Sequence, residues 1–147
     1  MKAKQILRQL SFLVFGSLIL FACKAQKQNE ANTTALINAD YLITHLGEDN
    51  VSEEELTMEV NADEARISGF AGCNNYKFEY KLDDKGQLDL GLGVATKMYC
   101  DDSMDLESKF FTKASLVTNF VIQNEILYLK SKSGETVIKA KKEEKSE

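Results

Sequence analysis

The chain has no proline, no tryptophan and a single histidine, and its 8 glycines form no cluster long enough to divide 147 residues. Length and the missing breaks set the expectation of one domain. The scarcity of imidazole restricts the chemistry. A thiol or hydroxyl nucleophile needs a base beside it, and the only candidate ring is His45, inside an apolar-flanked strand pattern. His45 therefore reads as a solvent-facing or hydrogen-bonded strand residue. With Cys73 and Cys100 it also lacks the close paired spacings of a zinc site, so neither a metal nor a cofactor is expected. The Gly91-Leu92-Gly93-Val94-Ala95-Thr96-Lys97 stretch resembles a phosphate loop. It lacks the third glycine and the helix directly behind it, so it reads as a tight bend.

Long hydrophobic runs are also missing, with one exception. Residues 10–21 are apolar apart from serine and glycine and follow Lys2, Lys4 and Arg8. At 12 residues the run is shorter than the roughly 20 that a membrane-spanning helix takes, and its charge-then-apolar order is that of an export signal. It ends in Leu20-Phe21-Ala22-Cys23, which resembles the bacterial lipobox, so residues 1–22 read as a lipoprotein signal peptide and Cys23 as the lipidated first residue. Three cysteines are an odd number, and acylating Cys23 leaves Cys73 and Cys100 as a pair. Several acyl chains on one residue make a firm membrane anchor. Lys24, where an Asp would suggest retention at the inner membrane, points to the outer membrane of a bacterial envelope, facing the periplasm.

Removal of residues 1–22 leaves 15 basic against 23 acidic side chains, a net of −8. That balance argues against nucleic acid as a partner. The anchor makes the membrane one partner, and an apolar ligand or an envelope protein the others to consider.

Residues 24–36 are polar and aperiodic, a flexible tether from Cys23 to a domain at 37–140, and residues 141–147 read as a solvated charged tail. Within the domain the apolar signal is short and two-periodic, giving strands at 41–46, 56–60 and 66–70. In Tyr76-Lys77-Phe78-Glu79-Tyr80-Lys81-Leu82 the apolar residues alternate with charged ones and so share one sheet face. Asp83-Asp84-Lys85-Gly86 turns the chain and 87–90 returns as the hairpin partner. Further strands are expected at 121–123, 125–130 and 136–140, with a turn at 132–135. One helix is expected over 101–120, where Leu106, Phe110, Ala114 and Val117 form a stripe and Asp101, Asp102, Ser103 and Asp105 stand ready to cap its start. The fold class is α+β: a curved antiparallel sheet or incomplete β-barrel of about seven strands packed by one α-helix.

Three readings carry alternatives. Tyr76, Phe78 and Tyr80 are either core against the helix stripe or a concave face for an apolar ligand. In an oxidising compartment Cys73 and Cys100 read as a disulfide, with a redox-active or metal-binding thiol pair as the alternative, which usually shows a closer spacing. The acidic stretch of Glu48, Asp49, Glu53, Glu54 and Glu55 reads as a solvated surface rather than a calcium loop.

Ile67-Ser68-Gly69-Phe70-Ala71-Gly72-Cys73-Asn74-Asn75-Tyr76, followed by Ala95-Thr96-Lys97-Met98-Tyr99-Cys100, then Glu107 and Leu127-Tyr128-Leu129, resembles the META domain family, whose bacterial members include HslJ-like heat-shock lipoproteins. Tyr41 stands where the family commonly has tryptophan, and Phe78 where a glycine is usual. The resemblance implies a non-catalytic envelope protein linked to stress tolerance. It also implies structural roles for Gly69, Gly72, Asn74, Thr96, Met98 and Glu107. Two classes of function follow: a binding or interaction module, or a thiol–disulfide redox protein or sensor acting through Cys73 and Cys100.

Overall fold

The computed structural model describes residues 35–144. The expected signal peptide, Cys23, most of the expected tether and the end of the expected tail lie outside the described residues. The elements are β1 (Ala39–Leu46), β2 (Asp49–Asn50), β3 (Thr57–Asn61), β4 (Arg66–Phe70), β5 (Asn75–Leu82), β6 (Leu88–Leu90), β7 (Val94–Ala95), α1 (Met104–Ala114), β8 (Val117–Gln123), β9 (Ile126–Ser131) and β10 (Thr136–Lys142). Hydrogen bonds join the strands in the order β6-β5-β4-β3-β1-β10-β9-β8, with β2 added to β1 and β7 to β5, and every pairing is antiparallel. The sheet curls until its two end strands, β6 and β8, lie against each other, so the α+β domain is a nearly closed barrel with one helix.

Alternation drives the curl. Along β5, Tyr76, Phe78 and Tyr80 point inward while Lys77, Glu79 and Lys81 face solvent. Tyr41, Ile43, Met58, Val60, Ile67, Leu127, Leu129 and Ile138 fill the same interior from the other strands. The helix adds Phe110 and Ala114, and Leu106 packs at the core's edge. Each large apolar side chain fully removed from water contributes about 1.5 to 3 kcal/mol. Among the described residues no helix is long and apolar enough to cross a membrane.

The helix is shorter than its periodicity predicts. It spans 11 residues, and Val117 to Phe120 belong to β8. Val117 and Phe120 are both buried at a spacing of three because the β8–β9 register shifts between Val117 and Asn119, and a bulged strand can copy a helical interval. The expected capping is also absent: Ser103 holds the N-cap position with no side-chain hydrogen bond to the helix. Asp105 and Glu107 lie in the first turn, where they favour the positive end of the helix dipole.

Two boundaries move. Leu36, expected as the last tether residue, is buried in the core. The tail begins later than Lys141, because β10 runs to Lys142 and the Glu143 N–H donates to the Asp40 carbonyl at 2.8 Å. Among the described residues the strands number ten, eight of them without the two-residue β2 and β7. The 83–86 turn forms as expected, with the Asp83 carboxylate accepting from the backbone N–H of Lys85 at 2.9 Å and Gln87 at 2.7 Å.

Candidate functional site

At the start of β5 the residues of the cysteine–asparagine motif meet. Gly69 lies opposite Tyr76 in the β4–β5 ladder, and a Cβ there would stand 2.1 Å from the Thr57 carbonyl oxygen. That carbonyl accepts the Tyr76 hydroxyl at 2.9 Å, so the position has no room for a side chain. Burial pushes the Tyr76 hydroxyl far above the usual phenol range. Gly72 takes φ +96°, a left-handed conformation that favours glycine, and its Cβ would also crowd Leu106 at 3.1 Å. The chain then folds back so that the Ala71 N–H donates to the Asn74 carbonyl at 2.9 Å.

Asn74 is buried and uses every polar group it has. Its Oδ1 accepts from the Thr96 hydroxyl at 2.6 Å and the Met98 N–H at 2.7 Å. Its Nδ2 donates to the Met98 carbonyl at 3.1 Å and to Glu107 Oε2 at 2.9 Å. The Asn74 backbone N–H also donates to Glu107 Oε2, at 2.9 Å. Thr96 Oγ1 accepts the Asn75 N–H at 3.2 Å. Beside this network the sulfurs of Cys73 and Cys100 are bonded, with their Cα atoms 5.9 Å apart. A polar cluster paired around a buried asparagine fixes geometry. It joins the turn before β5, the 96–100 segment and α1 in one place. Met98 takes part through its backbone, and its side chain is exposed.

Tyr76, Phe78 and Tyr80 are all buried, and α1 covers the first two: the Tyr76 and Phe110 ring centroids lie 4.5 Å apart, and Phe78 packs on Phe111 at 6.0 Å. Tyr76 and Phe78 are core under the helix, and Tyr80, though buried, borders the open groove described below. His45 Nδ1 lies 3.1 Å from Thr44 Oγ1, at a register irregularity of β1. Among the described residues no group of three or more His, Cys, Asp or Glu side chains is placed to hold a metal. The acidic stretch contributes one exposed ion pair, Asp49 with Lys109 at 3.0 Å, and that ammonium holds the Asp49 carboxyl below the ordinary carboxylate range. Ser103 is half-buried and lies near Gly72.

Sequence reasoning missed the strap that the network holds. Residues 91–99 are exposed one after another, with Leu92 96% and Tyr99 79% exposed. The two glycines that resembled a phosphate loop serve close packing on β5. The Gly91 N–H donates to the Glu79 carbonyl at 2.9 Å, and a Cβ on Gly93 would stand 2.3 Å from the Phe78 ring. β7 then pairs with Tyr76 and Lys77, and the Thr96 N–H donates to the Asn75 carbonyl at 3.1 Å. Between strap and sheet an open groove of about 680 Å³ is lined by charged residues of β5 together with Tyr80, Leu92 and Val94. The alternation that marks strands could not reveal the strap, because its apolar residues lie outside any long strand.

A solution structure of a protein from Burkholderia xenovorans superposes with a TM-score of 0.57 at 19% identity, covering 74% of this chain and 83% of that one. A second solution structure superposes with a TM-score of 0.54 at 16% identity, covering 72% and 90%. At these identities the likeness is one of fold. No curated protein matches the sequence. The META domain matches residues 34–144, a span that includes every strand, the helix and the whole Asn74 network, and the chain belongs to the META domain family.

Proposed function

We propose that the chain is an exported lipoprotein, acylated on Cys23 and held at the outer membrane, whose META domain is a non-catalytic interaction module linked to envelope stress tolerance. The anchor rests on the leader and lipobox pattern, and the stress role on the family's bacterial members. The observation that carries interaction over catalysis is the division of roles around Asn74. The polar groups of the motif face one another and are fully paired, so none is left to attack or deprotonate a substrate. The strap they secure turns Leu92, Val94, Met98 and Tyr99 to solvent. Exposed apolar side chains on a backbone fixed at both ends suit recognition, since little conformational freedom is lost on binding. An envelope protein is favoured over a small apolar ligand as the partner, because Phe110 and Phe111 already cover Tyr76 and Phe78.

A photo-crosslinking residue placed at Tyr99 of the full exported chain tests this, with Glu54, on the acidic loop, as control. The expected result is a discrete adduct from position 99 and none from position 54, with the protein in the membrane fraction until Cys23→Ala releases it. Cells yielding no adduct at position 99, stressed or unstressed, would remove the interaction module. Membrane retention of the Cys23→Ala chain would remove the anchor.

A further inference from the structure

We infer that the segment 91–105 docks a cationic, apolar polypeptide segment of its partner; this rests on the interaction reading and names the partner's chemistry. Two sets of side chains there have no role inside the fold. Leu92, Val94, Met98 and Tyr99 are exposed, and Met104, the first residue of α1, is 37% exposed. Water disfavours such apolar surface, and the pairing of β7 with β5, the Asn74 network and the disulfide prevent the segment from collapsing inward to hide it.

The second set is acidic. Asp101, Asp102 and Asp105 are exposed, no hydrogen bond or ion pair engages their carboxylates among the described residues, and the start of α1 has no side-chain cap. Lys97 is the one cation in the segment, so the apolar strap carries an excess of negative charge. Its complement is apolar and positive, since opposite charge at the edge of a contact speeds encounter and rejects like-charged competitors. An anionic lipid surface fails this requirement, because the same aspartates repel its headgroups. A second copy fails it as well, because it brings the same aspartates on a mature chain of 15 basic and 23 acidic side chains, a net of −8.

The test uses the acylated protein held by its own anchor in phosphatidylcholine nanodiscs, with empty discs as the blank. The probe is a labelled amphipathic 14-residue peptide of lysine and leucine, compared with glutamate–leucine and lysine–serine peptides of equal length. The lysine–leucine peptide is expected to bind at least about tenfold more tightly than either control, and to weaken as salt rises. Met98→Ser with Tyr99→Ser, and separately Asp101→Asn with Asp102→Asn, should each remove about tenfold of that affinity while the thermal midpoint stays in place, because these side chains are exposed. Equal binding of the glutamate–leucine peptide, indifference to both double variants, or preferential capture by phosphatidylglycerol vesicles would overturn the inference. If position 99 still crosslinks a partner while the lysine–leucine peptide does not bind, the interaction module stands and the cationic partner falls.

Discussion

Glu107 reaches back from the first turn of α1 to Asn74, 33 residues earlier, and its Oε2 receives both the backbone N–H and the Nδ2 of that asparagine at 2.9 Å. One carboxylate oxygen thus ties the helix to the turn that opens β5, and the amide oxygen of the same asparagine fixes the strap.

Asn74→Ala strips partners from Thr96, Met98 and Glu107 together. Thr96 and Met98 are exposed and Glu107 is half-buried, so water replaces part of what they lose; at about 1 kcal/mol net per hydrogen bond, a loss of roughly 2 to 4 kcal/mol is expected in urea denaturation. Glu107→Gln keeps an acceptor oxygen and gives up the charge, so it should cost less than half as much. Equal losses for the two variants would show that Asn74 acts through packing rather than through its hydrogen bonds.

The bond between Cys73 and Cys100 closes a long loop around the hairpin and the strap. On the chain-entropy model a loop of that size stabilises by about 3 to 4 kcal/mol, and the Cys73→Ser, Cys100→Ser double variant should lose about that much. Cys73 is buried, so an incoming thiolate meets Cys100 and would have to expel a Cys73 thiolate into a buried site against the Met98 carbonyl oxygen, 3.5 Å away. Slow reduction by glutathione is therefore expected, together with retention of the position-99 adduct in any double-variant cells that still accumulate the protein. Rapid reduction, with loss of cellular function at unchanged protein level, would instead favour the redox reading.

Much of the barrel was legible because its strands obey a period of two: Tyr76, Phe78 and Tyr80 alternate with charges, and the burial along β5 follows that pattern. The length of α1 was not legible, since Val117 and Phe120 kept a helical interval across a strand irregularity. The motif pointed to Asn74 and Glu107, but nothing local in the sequence places a helix carboxylate on a residue 33 positions earlier; the tertiary fold does that. The strap is hidden for a related reason: Gly91 and Gly93 read as a tight bend, and only the approach of Phe78 to the Gly93 backbone shows why glycine stands there.

Glycine positions give a stringent contrast. Gly69→Ala drives a Cβ to 2.1 Å from the backbone oxygen of Thr57, which also holds the Tyr76 hydroxyl, and backbone cannot swing aside as a long side chain can. Gly134, at φ +87° in the β9–β10 turn, has open space around its Cβ direction, so Gly134→Ala should cost only conformational strain, about 1 kcal/mol. Thermal denaturation should place Gly69→Ala several times further below wild type than Gly134→Ala, with most of the protein insoluble. A mild Gly69→Ala would mean that β3 and β4 separate more easily than their register implies.

Two buried tyrosines should answer the same substitution in opposite directions. The Tyr76 hydroxyl donates to Thr57, while the Tyr41 hydroxyl is buried with no hydrogen-bond partner among the described residues. Near neutral pH, Tyr76→Phe should therefore lose about 1 kcal/mol, and Tyr41→Phe should be neutral or gain up to about 1 kcal/mol by deleting a polar atom held away from water. Burial raises both phenols above their ordinary value of 10.0, so in the folded protein they keep their protons where the unfolded chain has begun to lose them. The unfolded state then binds fewer protons, and stability is complete below about pH 10 and falls as pH rises beyond it. Either phenylalanine variant removes one such group and should flatten that alkaline decline relative to wild type. Urea midpoints at pH 7 and about pH 11 resolve both effects, and a Tyr41→Phe protein less stable than wild type at pH 7 would show that this hydroxyl has a partner after all.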